Sequence, residues 1–148
     1  MRAVIQRVKE ASVSVDGVRV GAIGRGFLVL LGVHESDESK DADYVIKKIS
    51  GLRVFEDEAG KMNLGLSEVG GELLIVSQFT LYGDVRHGNR PAFIEAAQPY
   101  KAIPLYEYTV KLLSESFTVQ TGVFGAEMQV ELINDGPVTI LIDSKKLF

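Results

Sequence analysis

A chain of 148 residues, 46% of them hydrophobic and 24% charged, has the balance of an ordinary globular protein, and its length fits one domain over residues 1–148. A net charge of −4 argues against a protein that coats nucleic acid through bulk charge, so any RNA contact must come from a local basic cluster. The lack of cysteine excludes disulfides, thiolate catalysis and sulfur-ligated metal sites.

Arg2, Arg7 and Lys9 interrupt the apolar residues of the opening segment, and no run of 18 apolar residues occurs anywhere. The expectation is a cytoplasmic protein with no membrane partner. Met1 to Val8 opens as a short β run, and Ala11, Val13 and Val15 then alternate with Ser12, Ser14 and Asp16, the period of a half-buried strand. Asp16-Gly17 favours a type I′ hairpin, and Val18, Val20 and Ala22 carry the alternation back. Gly24-Arg25-Gly26 marks another turn, placed by this reading in a hairpin. Phe27 to Val33 reads as a central strand buried on both faces.

The period then changes. Ala42, Val45, Ile46, Ile49 and Leu52 fall at helical spacing, with Asp37 and Glu38 near one end and Lys47 and Lys48 near the other. Asp57-Glu58-Ala59-Gly60 is a turn, and Glu72 to Phe79 is a second buried strand. A second helix is predicted over Ile103 to Ser116, with Tyr106, Val110, Leu113 and Phe117 on one side. The chain closes with Met128 to Ile133 and Val138 to Ile142, read as two strands separated by the turn residues Asn134-Asp135-Gly136-Pro137. The order predicts an α/β fold: a small, mostly antiparallel β-sandwich or open barrel with two or three helices.

A search for standard catalytic apparatus finds none. Neither His34 nor His87 is paired with a serine by spacing, and two isolated histidines make a poor zinc site. No GxGxxG or GxxxxGK[ST] segment is present, so neither a cofactor nor a metal is expected. Two segments remain. Leu73-Leu74-Ile75-Val76 runs directly into Ser77-Gln78-Phe79-Thr80-Leu81, polar groups that suit either the lip of a binding site or the capping of a strand end. Asn134-Asp135-Gly136-Pro137-Val138-Thr139 reads as a turn whose Gly-Pro bond is open to either isomer.

Those two segments match the SQFTL and NxGPVT motifs of D-aminoacyl-tRNA deacylases, and the chain resembles that family over nearly its whole length. Similar stretches are Arg2 to Val15, Gly60 to Leu64, Gly88 to Phe93 and Thr121 to Ala126. Ala92 and Gly65 depart from the family's usual polar residues, outside both motifs. The resemblance implies a homodimer of small α/β subunits with active sites at the interface. It implies hydrolysis of the ester in D-aminoacyl-tRNA and glycyl-tRNA, with L-aminoacyl-tRNA spared.

By the same resemblance Ser77, Gln78, Phe79 and Thr80 are the catalytic segment. Gly136 and Pro137 form a cis pair that enters the partner's site, and Asn134, Phe124, Ala126 and Met128 line the substrate. Main-chain N–H groups around Phe79 and Thr80, with the 2′-hydroxyl of the terminal adenosine, would supply the chemistry. Arg86 and Arg90, flanking His87, are the basic cluster offered to tRNA, with Lys145 and Lys146 a second. Two alternatives stay open: a non-catalytic tRNA-binding module, and an esterase with Thr80 as nucleophile.

Overall fold

Arg2–Val15 forms one long strand, β1, around which the sheet is built in the computed structural model, which describes residues 1–148. Ala3, Ile5, Ala11 and Val13 are buried along it, as the alternation requires. Asp16 and Gly17 both take positive φ, 50° and 77°, the backbone of a type I′ turn, and lead into β2 (Val18–Ile23). β3 (Gly26–Gly32) follows. Ile23 pairs with Ala11, and Gly26 with Val8, so β2 and β3 lie end to end along the same edge of β1. The Gly24-Arg25 segment is therefore a jog between collinear strands. The expected hairpin does not form, because β1 is long enough to pair with both.

α1 (Ser39–Gly51) then carries the chain across to β4 (Arg53–Glu56) and β5 (Met62–Gly65), a short antiparallel hairpin around the expected turn. β6 (Glu72–Ser77) returns parallel to β3, the pairing that a helical crossover allows. A 3₁₀ turn, Phe79–Tyr82, follows β6 directly. α2 (Pro99–Ser114) begins earlier than its apolar spacing suggests, with Pro99 in the first turn where no N–H is needed. β7 (Val119–Thr121) adds to β6 in parallel.

The chain ends differently from its sequence reading. Gln129–Asp143 is one continuous strand, β8, antiparallel to β1 from Ser14↔Gln129 to Arg2↔Asp143. The four residues Asp135 to Val138 lie opposite Arg7 alone, between the pairs Val8↔Asn134 and Gln6↔Thr139. The turn residues make a wide bulge in place of a reversal. A bulge accommodates Pro137, which has no N–H to give to the ladder. With three of its five strand pairs antiparallel and two parallel, the main sheet is mixed, and it curls into a nearly closed barrel, while β4 and β5 form a separate hairpin.

Both faces of the central strands are covered. Phe27, Val29, Leu31, Leu73 and Ile75 pack with Val45, Ile49, Phe55 and Leu113, and Phe27 stacks on Phe55 at 5.2 Å. Leu28, Leu74 and Val76 face the other way, onto Val8, Val13 and Ile23. No helix is long and apolar enough to cross a membrane.

Candidate active site

The site is built where β3 and β6 end side by side. Leu31 pairs with Ser77, and the Gln78 N–H donates to the Leu31 carbonyl at 2.8 Å, carrying the ladder one residue further. The chain then turns sharply through Phe79–Tyr82, held by the Gly83 N–H on the Thr80 carbonyl at 2.9 Å. This packing depends on Gly32. A Cβ there would meet the Gln78 carbonyl oxygen at 2.9 Å and Leu81 Cβ at 3.2 Å, so any side chain would push the turn away.

Within the turn, Gln78 Nε2 donates to Thr80 Oγ1 at 2.5 Å. The N–H groups of Phe79 and Thr80 have no acceptor in the chain, as expected at the start of a helical turn. Phe79 lines a cleft of about 260 Å³, and Thr80 follows it in the chain. Leu31, Val76, Ser77, Gln78 and Phe79 form its sheet side. Ala97, Ala102 and Tyr106 close it from α2 and the preceding loop, and Phe124, Ala126, Met128 and Val130 close the third side. The cleft is mostly apolar with polar groups at one lip, the composition of a small-ligand site.

Tyr106 braces the cleft. Its hydroxyl donates to the Ile75 carbonyl at 2.8 Å and its ring meets Phe124 edge-on at 5.8 Å. Burial pushes the phenol up to about 12, so Tyr106 stays neutral and its only proton is committed to β6. Phe79 is 57% exposed and leans edge-on against Phe93 at 5.0 Å.

The bulge of β8 is fixed by two side chains. Arg7, itself buried, donates from Nε to the Asp135 carbonyl at 2.8 Å and from Nη1 to the Val54 carbonyl at 2.5 Å. Its guanidinium also lies 3.4 Å from the Asp135 carboxylate. Asn134 Nδ2 bridges the Arg7 and Val138 carbonyls at 2.9 and 3.1 Å, closing the bulge across its base. The Gly136–Pro137 bond is cis and both residues are exposed. A Cβ on Gly136 would sit 2.3 Å from Asn134 Oδ1, so any side chain there must displace the Asn134 amide that closes the bulge.

Ser77, Gln78, Phe79, Phe124, Ala126 and Met128 thus meet in one cleft, and Thr80 joins them through Gln78. Asn134, Gly136 and Pro137 do not line it within the same subunit. Of the basic residues, Arg86 is engaged. Its Nε and Nη2 fork onto Asp84 at 2.9 and 2.7 Å, holding that carboxyl well below the usual carboxylate range. Arg90 is exposed and makes no ion pair. Lys145 is tied to Asp41 at 2.7 Å. Arg7, Gly32 and Tyr106 are the site-building residues that sequence reasoning left out.

The profile of the family described as D-Tyr-tRNA(Tyr) deacylase matches residues 4–143. The D-aminoacyl-tRNA deacylases of Anaeromyxobacter dehalogenans and Kosmotoga olearia are each 60% identical to this chain, with all of both chains covered. That of Thermotoga petrophila is 58% identical at the same coverage. Among solved structures, the c-Myc DNA Unwinding Element Binding Protein superposes with a TM-score of 0.91 at 44% identity, over 97% of this chain and 98% of that one. A structure described as a probable eukaryotic D-amino acid tRNA deacylase gives 0.83 over 96% and 98%, and at 17% identity that likeness concerns the fold.

Proposed function

The chain belongs to the D-Tyr-tRNA(Tyr) deacylase family, and from that premise we propose that it is an enzyme hydrolysing the ester between tRNA and a D-amino acid or glycine. The reading adds that it spares L-aminoacyl-tRNA and so serves translation quality control. The observation that carries the reading is the Ser77–Thr80 turn, whose free N–H groups border an apolar cleft sized for an amino-acyl group.

Hydrolysis of an aminoacyl ester requires water to attack the carbonyl carbon and the acyl–oxygen bond to break, with the proton passing to the departing 3′-oxygen. Negative charge builds on the carbonyl oxygen during attack, and the Phe79 and Thr80 N–H groups are the donors positioned to receive it. Gln78 and Ser77 orient the substrate at the lip. The 2′-hydroxyl of the terminal adenosine assists the water. No histidine or carboxylate lines the cleft to activate Thr80, whose hydroxyl already accepts from Gln78, and this favours RNA-assisted hydrolysis over a Thr80 nucleophile.

The same reading makes the enzyme a homodimer. Gly136 and Pro137 are exposed, the outer edge of β8 has no strand partner, and Ile133 and Leu141 on it are half exposed. These features suit a bulge that enters the partner's cleft, where its main-chain carbonyls take the space an L side chain needs while admitting hydrogen. The name of the 44%-identical structure raises DNA binding as another reading, but a net charge of −4 and the engaged Arg86 and Lys145 speak against it.

The test compares D-tyrosyl-tRNA, the same tRNA ending in 2′-deoxyadenosine, and a small D-tyrosyl ester. Fast loss of the first with the other two slowed greatly is the expected result. Equal turnover of the small ester, lost in Thr80→Ala, would establish the general esterase.

A further inference from the structure

The Ser77–Thr80 turn has an exposed front, and little inside it holds its shape. The Leu81 N–H reaches the Gln78 carbonyl at 3.4 Å, a long contact, so the turn is closed internally by the Gly83 to Thr80 main-chain bond and the Gln78 to Thr80 side-chain bond, neither of which holds Leu81. What fixes its far end comes from the first residues of the chain. Arg2 Nη1 donates to the Leu81 carbonyl at 2.9 Å, and Arg2 Nε donates to Asp143 Oδ2 at 3.0 Å. Its guanidinium lies over the Tyr82 ring at 4.6 Å, and Tyr82 packs beneath the turn beside Gly32.

Asp143 is almost fully buried, and its second oxygen accepts the Lys145 N–H at 2.7 Å. The acid is therefore fixed before Arg2 meets it. Arg2 is only 26% exposed, so its pairing is better shielded than that of a surface ion pair. The guanidinium, carried by the start of β1, ties together the end of β8 and the carbonyl end of the turn. A planar fork presents its Nε and Nη1 donors at a fixed spacing that suits both acceptors, whereas the point-like ammonium of lysine lacks that spacing.

We propose that Arg2 is a positioning residue for the reaction, clamping the carbonyl end of the Phe79–Tyr82 turn so that the Phe79 and Thr80 N–H groups keep their place relative to the cleft. The proposal rests on the oxyanion role given to those groups above. Arg2 does not line the cleft, and it acts through the Leu81 carbonyl. Small displacements of catalytic groups cost rate steeply, so releasing the clamp lowers kcat by about 10- to 100-fold while leaving KM nearly unchanged.

The test uses the full chain with Arg2→Met and Arg2→Lys, assayed well below their unfolding temperatures. Arg2→Met is expected to lose kcat by that factor, and Arg2→Lys to recover part of it. Amide hydrogen exchange, which needs no substrate, is expected to quicken at Leu81 to Gly83 in Arg2→Met with the β6 amides unchanged. Unaltered exchange across the turn overturns the proposal, whatever the substrate proves to be. So does a loss confined to KM that fades with added salt, which marks Arg2 as a phosphate contact. If the wild-type protein hydrolyses no aminoacyl-tRNA, the functional reading fails and the exchange result still decides the clamp.

Discussion

Replacing Arg7 with Met tests whether the β8 bulge is held in place by a buried cation. Met fills much of the aliphatic volume and removes both donors. The Asp135 carbonyl lies near solvent and can take water in exchange. The Val54 carbonyl receives its bond in a buried setting and cannot. Counting that second bond alone, and taking a hydrogen bond to a charged group as about 1.5–3 kcal/mol, the variant should lose roughly that much stability. At about 2–4 °C per kcal/mol for a chain of this size, the unfolding midpoint should fall by about 3–12 °C. Circular dichroism at fixed protein concentration measures it, the concentration being held because the midpoint of any oligomer depends on it. The Asp135 bond also orients the residues before Gly136. A loss of about 1.4 kcal/mol from that orientation corresponds to a tenfold fall in the ratio of D- to L-aminoacyl-tRNA hydrolysis. Wild-type stability together with an unchanged ratio would refute the assignment of Arg7 as the anchor of the bulge.

Thr80→Ala should keep substantial activity, because the main-chain donors remain; a collapse of about 10⁴-fold, the scale of losing a triad member, would restore the nucleophile. Gly32→Ala should displace the Phe79–Tyr82 turn and lower kcat, since the added Cβ meets backbone at 2.9 Å; full activity in that variant would show that the turn yields without cost. For Asp41, burial opposes ionisation, but the Lys145 ammonium, the Glu38 N–H and the Ser144 hydroxyl outweigh it and hold the group at about 2, below its ordinary 3.8. Because the folded value is the lower one, this stabilisation is complete above about pH 4 and is lost as pH falls through 2. The melting temperature of Asp41→Asn should therefore depend less on pH over that window, and an identical acid slope in both proteins would contradict it. Activity should survive EDTA, as no three His, Asp or Glu side chains gather into a metal-binding group; loss on chelation with recovery on adding a metal would count against this.

The sequence was informative wherever one residue's neighbours along the chain settled its environment. Alternation in β1, the helical spacing of α1 and the unbroken apolar runs of β3 and β6 correspond to one-sided or two-sided burial, and each was legible. The β8 bulge was not. Asn-Asp-Gly-Pro carries the local chemistry of a reversal, and it is overruled by 11 residues of β1 that pair with β8 on either side of it. Arg7 shows the same limit from the other side. It occupies the inward parity of Ala3 and Ile5, where a cation signals a buried partner, but that partner is a carbonyl of β4 and another of the bulge. The expected site residues split for a related reason. Those on the β6 end and the 122–128 loop meet within one subunit. Gly136 and Pro137 are exposed on the bulge and Asn134 braces its base, all of them away from the cleft.

The most direct test of the central claim is the hydrolysis of D-tyrosyl-tRNA and L-tyrosyl-tRNA by the purified protein, followed side by side as loss of the ester. The account predicts rapid loss of the D-ester while the L-ester decays at its spontaneous rate. Equal rates on the two enantiomers, or no turnover of either, would contradict it.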